Sequence, residues 1–317
     1  SLNAIVKGDS LLKANMERKK LLIILLVYVL VVLIWSTTPL AIKWSSEGVG
    51  FLSGLTARMS IGALLSLVLV IIIYKKLRLD ARAIHVYLAS GLAIFGGMMP
   101  VYWGAQYIDS GLISVVFSLT PIVTAFLAAR FLYEQSITLY KILGSMLGML
   151  GLVVIFSDQI SIGEQAMTGV SAVVLSVILH SISSVWIKYL KPDVPVLMIT
   201  AGGLLCSLPL FALSFYLLDE QMPDTVPLRS LFAIIYLGVM GSVVGFMSYY
   251  FILVQLPTST VALITLITPV LALWIGVLFN GEIVSYSIIL GAACVLIGLL
   301  IHQWGAGIVK KYAHCDK

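Results

Sequence analysis

Few side chains in the apolar runs of this sequence can do chemistry, and their types limit what that chemistry is. Arg58 and His180 fall well inside such runs, while Glu134 and Glu282 stand at the ends of two others. An ionisable group held in hydrocarbon is costly, so it marks either function or a buried partner. His180 shares a helical face with Ser183, Ser184 and Ile187. With a reference pKa of about 6.5 it can titrate with a solute or a coupling proton, or stay neutral and bond a neighbouring helix. Arg58 offers a fork of donors to a carboxylate; the alternatives are that it snorkels or pairs with a helix C-terminus. No Asp or Glu lies in the middle of any apolar run, which argues against a relay of buried carboxylates. The four histidines, His85, His180, His302 and His314, are scattered, and no glycine-rich phosphate loop is present. Metal-assisted hydrolysis, clustered acid/base catalysis and ATP-driven work therefore lack their residues. Cys206, Cys294 and Cys315 offer no disulfide framework. No cofactor or metal is expected, and the chain reads as a non-enzyme.

A second set of polar groups is written twice. "SLTPIVTAFLAARFLYEQ" places Thr120-Pro121 thirteen residues before Glu134, and "ITPVLALWIGVLFNGE" places Thr268-Pro269 thirteen before Glu282. Phe117, Thr120, Pro121 and Thr124 share one helical face, as do Thr265, Thr268, Pro269 and Ala272. A proline frees a backbone carbonyl and bends its helix, leaving an acceptor for a solute or for a threonine hydroxyl of the same helix. The glutamates stand just before Ser136, Thr138 and Ser285, which can cap following helices. A carboxylate near a helix N-terminus gains about 0.3 to 1 kcal/mol, so Glu134 and Glu282 read as structural. Aromatic rings away from membrane interfaces, Trp35, Tyr102 and Tyr249 among them, suit planar or amphipathic solutes as well as packing. Trp35 and Tyr102 are favoured as solute contacts by the nearby polar Thr38 and Gln106.

The elements that must position these groups follow from composition. Of 317 residues, 61% are hydrophobic and only 10% charged, and many apolar runs reach the roughly 20 residues that cross a bilayer as a helix. The pattern predicts an all-α polytopic membrane protein with ten spans near 21–43, 51–74, 84–107, 110–133, 138–157, 168–190, 196–218, 229–252, 258–282 and 285–304. With an inner N-terminus, all of the 19 Lys and Arg except Lys43, Arg58 and Arg229 fall on the inner side. Both termini are then cytoplasmic, and the outer loops are acidic. The net charge of +5 reports orientation and anionic lipid contact, with no nucleic-acid partner expected. Met16 opens a basic flank, so the natural chain is expected to start there, with residues 1–15 a non-native extension.

Sliding the sequence along itself by about 148 residues superposes the two Thr-Pro stretches; slightly smaller offsets lay "WSTTPLAIK" on "HSISSVWIK" and "GGMMPVYW" on "GSVVGFMS". Gly144 and Gly151 meet Gly291 and Gly298. The expected units are thus 21–157 and 168–304, flanked by a segment 1–20 and a tail 305–317. Five helices being odd, the second unit is inverted relative to the first, the arrangement that lets a midplane site open alternately to either side. The motifs "WSTTPLAIKW", "SLTPIVTAFLAARFLYEQ", "LGSMLGMLGLVVIF", "ITPVLALWIGVLFNGE" and "LGAACVLIGLLI", together with Arg58, resemble the EamA family of the drug/metabolite transporter superfamily in their order along the chain. That resemblance implies a ten-helix carrier of small metabolites, often an exporter of amino acids or related compounds.

The expected solute contacts are Trp35, Thr38, Tyr102, Gln106, Phe117, Thr120, Thr124, His180, Ser184, Tyr249, Thr265 and Thr268. Arg58, Pro121, Pro269, Glu134 and Glu282 are assigned to gating or structure. The expected location is the plasma membrane, the inner membrane of a bacterium. Small patterns such as "GSMLG" and "GSVVG" read as close packing, and the fifth and tenth helices as supports or homodimer contacts. An uncoupled channel, a lipid scramblase and a membrane-embedded lipid-modifying enzyme are the competing classes.

Overall fold

The computed structural model describes residues 2–132, 138–190, 193–218, 224–256 and 264–313, with side chains described outside 2–17, 156, 158–162, 250, 253–254 and 305–313. Within these residues the regular structure is all helical. In chain order the helices are α1 (Leu2–Ser46), α2 (Phe51–Tyr74), α3 (Ala81–Gly104), α4 (Ser110–Phe117), α5 (Thr120–Phe131), α6 (Leu139–Ile162), α7 (Glu164–Leu190) and α8 (Val196–Leu217). There follow α9 (Leu228–Tyr236), a π-helical segment (Leu237–Val244), α10 (Gly245–Gln255), α11 (Ile264–Asn280) and α12 (Tyr286–Ala313). Eight helical stretches are long and apolar enough to cross a membrane, and two shorter apolar ones, Leu139–Ile155 and Ile264–Asn280, occupy the fifth and ninth expected spans. Their outward faces carry large apolar side chains such as Leu22, Leu26, Leu33, Leu64 and Ile72. In water such a surface would be a liability, whereas lipid accepts it.

Local signals set the helix ends. Asp80 accepts from Ala83 N at 3.4 Å at the start of α3, and Arg78 beside it holds the Asp80 carboxyl below its ordinary range. Thr138 and Ser285 cap α6 and α12 through Lys141 N and Ile288 N, as their positions predict. The fourth expected span is broken: α4 ends at Phe117 and α5 begins at Thr120. Pro121 stands in the first turn of α5 and has no N–H for the Phe117 carbonyl four residues back. The Thr120 hydroxyl donates to that carbonyl instead, at 2.6 Å. Pro269, its repeat mate, lies inside the continuous α11, so the two Thr-Pro stretches share a sequence and differ in backbone.

The two halves interlock. α3 packs on α7 and α8, α2 on α8, and α1 on the α9–α10 arm and on α11. α6 and α12 meet along glycines: a Cβ on Gly144 would fall 2.4 Å from the Gly298 carbonyl, and one on Gly151 would fall 2.6 Å from the Gly291 carbonyl. Because Gly144 and Gly151 correspond to Gly291 and Gly298 in the repeat, the contacts are crosswise, the signature of a two-fold relation between halves. The main core lies between the halves, with Tyr102, Leu112, Phe211 and Leu237 buried.

Candidate functional site

Between the halves, α3, α7, α8 and α10 border a small, partly open cavity of about 20 Å³, walled by Ser90, Ala93, Ile94 and Met98 of α3, His180 of α7, Thr200 of α8 and Phe246 of α10. That is room for roughly one water. His180 lies against Gly97, where a Cβ would meet its Nδ1 at an ordinary contact distance of 3.6 Å. The Gly97 carbonyl accepts from the Ser176 hydroxyl, which fixes α3 against α7. Trp35, which aligns with His180 in the repeat, stacks on Tyr249 with ring centroids 4.7 Å apart. The same ring lies beside Gly245, the neighbour of Phe246. A wider groove of about 390 Å³ on the outside of the bundle, between Met99, Trp103 and Leu175, has no charged side chain and is open along one face.

One helical turn from the cavity lies Arg58, only 1% exposed. Its Nε donates to Ser242 Oγ at 3.0 Å and its Nη1 to the Tyr102 hydroxyl at 3.4 Å, with the guanidinium 5.9 Å from the Tyr102 ring centre. Tyr102 in turn accepts from Ser45 Oγ at 3.4 Å. Glycines make this approach feasible: a Cβ on Gly62 would stand 2.9 Å from Ser242 Cβ, and one on Gly241 would stand 3.1 Å from Arg58 Nη2. The π-helical register of Leu237–Val244 presents both Gly241 and Ser242 to α2; such segments recur at functional sites. The side chain therefore turns into the bundle and does not snorkel.

At one end of the bundle a polar clamp joins four elements. Lys43, at the end of α1, donates to the Ile108 carbonyl at 3.0 Å and lies 3.6 Å from Asp109 and 4.0 Å from Glu282. The Glu282 side chain is 5% exposed and accepts from Ser110 N at 3.1 Å, Ser110 Oγ at 2.9 Å and Gly111 N at 3.3 Å. The carboxylate thus caps α4, not the helix that follows it in sequence. Trp44 Nε1 donates to Asn280 Oδ1 at 3.0 Å, and Asn280 Nδ2 donates to Glu282 at 3.1 Å. Arg229 pairs with Glu47 and stands 5.0 Å above the Trp44 ring, while Ser230 Oγ donates to the Glu47 carbonyl at 2.7 Å. Burial raises the Asp109 carboxyl above its usual range and Glu282 adds to that rise, with Lys43 opposing both.

The other expected contacts divide. Thr38 and Ser184 donate back to the carbonyls of Ile34 and His180, and Gln106 is exposed with its amide on the Trp103 carbonyl. Phe117 packs against the main core, Thr268 is buried, and Thr124 and Thr265 are half-buried. Glu134 lies outside the described residues. Sequence reading missed Ser90 and Thr200, which lie in no motif, and Met98, Phe246 and Ser242, whose motifs it took for repeat or packing signals, and it missed Trp44, Asn280 and Ser110 because their partners are distant in the chain.

The description "EamA-like transporter family" matches residues 21–157 and again 167–302. Among relatives, the uncharacterized transporter YoaV of Bacillus subtilis is 25% identical over 86% of this chain and 94% of its own length. An uncharacterized transporter of Archaeoglobus fulgidus is 26% identical over 87% of this chain and 97% of its own. Protein PagO of Salmonella typhimurium is 24% identical over 87% and 91%. One solved crystal structure of a protein superposes with a TM-score of 0.61 at 19% identity, covering 88% of this chain and 96% of that one, which concerns the fold alone. Two matches covering most of the sequence, on a helical membrane bundle whose halves meet crosswise, place this chain in the EamA-like transporter family.

Proposed function

We propose that the chain is a secondary transporter that exports small amphipathic metabolites such as amino acids by alternating access, its ten helices forming two inverted five-helix units. The observation that carries this reading is the clamp of Lys43, Asp109, Glu282 and Ser110 closing one end of the bundle over a contracted cavity between the halves. A cavity holding about one water cannot hold a metabolite. Transport then requires a second state in which the cavity widens toward the opposite end. The distribution of Lys and Arg supports an external clamp end and cytoplasmic termini. In a bacterium this is the inner membrane. Lipid is the surrounding partner, and the outward faces of α6, with Leu143, Met146 and Leu150 exposed, are available to lipid or to a second copy.

The test is uptake into proteoliposomes of radiolabelled amino acids, nucleosides and cationic drugs, each with and without a pH gradient. Saturable movement of at least one amphipathic solute is expected. Lipid flipping with no solute movement in the whole panel would overturn the reading in favour of a scramblase.

A further inference from the structure

We propose that Arg58 is the anchor for an anionic group, a carboxylate, of the transported solute; this rests on the transporter reading and names the chemical class of its cargo. Arg58 is a fixed cation at 1% exposure, and its hydrogen bonds among the described residues go to two hydroxyls, Ser242 and Tyr102. No described carboxylate stands within ion-pair distance of it, although Lys43, Arg78 and Arg229 each have one. A buried charge without a counter-charge is destabilising, and a guanidinium has five N–H donors. Two are used, which leaves donors on Nη1 and Nη2 for a carboxylate to accept from side by side.

The geometry ties this cation to the cavity. Its two acceptors stand about one turn from two cavity walls: Tyr102 follows Met98 by four residues in α3, and Ser242 precedes Phe246 by four. The guanidinium therefore stands about one turn from the cavity, on the side of the Lys43 clamp. A solute whose apolar part lies against Met98 and Phe246 would then present its polar head to Arg58. No acidic side chain lines the cavity, so a cationic head would meet only a like charge. The repeat gives Arg58 no basic mate: the offset that lays Trp35 on His180 and Gly96 on Gly241 sets it against Gly203. The position is therefore not one the symmetry of the bundle requires.

The experiment compares binding to the purified full chain in detergent of leucine, phenylalanine and phenylacetate with their carboxamides, followed by tryptophan fluorescence. The carboxylates are expected to bind the wild type at least tenfold more tightly than the amides. Arg58→Gln is expected to bring acid and amide to equal affinity, and Arg58→Lys to keep part of the preference. Equal affinities in the wild type, no binding by any of the three acids, or a preference that survives in Arg58→Gln would each overturn the proposal. The wild-type comparison stands even if a variant does not fold. Saturable transport of amides as fast as of acids would sink the anion site and leave the transporter reading intact.

Discussion

Glu282 concentrates more polar contacts than any other carboxylate in the clamp, holding the first two N–H groups of α4, the Ser110 hydroxyl and the Asn280 amide. Glu282→Ala leaves those donors unpaired at a nearly buried site, a loss of about 1 to 3 kcal/mol. A lower midpoint of thermal unfolding in detergent is expected, with Glu282→Gln falling between. Asp109 supplies the pH dependence. Its carboxyl is raised by burial and by Glu282 against the pull of Lys43, so the closed clamp binds a proton more tightly than an open one in which Asp109 is solvated. The sign follows: protonation favours closure, in the window between the ordinary carboxylate value of about 3.9 and the raised one. Acid on the clamp side should slow transport, and Asp109→Asn should remove that dependence while resembling the acid form. A pH profile of uptake in the wild type and the variant checks both. At this scale the sequence showed which groups were unusual and not whom they met: Arg58 and His180 stood out by burial cost and Glu282 by its place in the repeated motif, whereas Ser242 and Ser110 are ordinary serines whose roles come from residues more than a hundred positions away.

Among the elements, the broken fourth span differs most from expectation. The threonine hydroxyl donates to the carbonyl that proline leaves without a partner, so the break at Ser118–Leu119 costs little polar satisfaction, and it is the place where a joint between α4 and α5 is expected. Pro121→Ala restores an N–H facing Phe117 and should straighten this joint. Slower transport at unchanged thermal stability is the expected result, measured by initial uptake rates beside an unfolding scan. The α6–α12 seam should behave in the opposite way. A Cβ on Gly298 would stand 2.5 Å from the Gly144 carbonyl and 2.7 Å from Gly148 N, and neither backbone atom can turn aside. Gly298→Ala is therefore expected to destabilise by about 1 to 3 kcal/mol, read as a lower unfolding midpoint. The helices themselves were legible: the bounds 51–74 match α2, since long apolar runs and short loops leave few options. That α6 and α12, the fifth and tenth expected spans, pair with each other was not, because glycine spacing signals close approach without naming the partner.

For the whole molecule, the repeat was the most informative feature of the sequence, and the crosswise glycines of α6 and α12 are the contacts that a two-fold relation would give. The structure adds an asymmetry that equal sequences do not announce: Pro121 sits at a break and Pro269 inside a continuous helix. Two related units held in different shapes are what one closed end requires, and exchanging those shapes would close the other. That exchange is the central claim, and counterflow measures it most directly. Proteoliposomes loaded with unlabelled solute are placed in a trace of the same labelled solute. Alternating access predicts a transient accumulation of label above equilibrium that saturates with concentration and weakens in Pro121→Ala; label that only equilibrates, at a rate proportional to concentration and unaffected by internal solute, would contradict it.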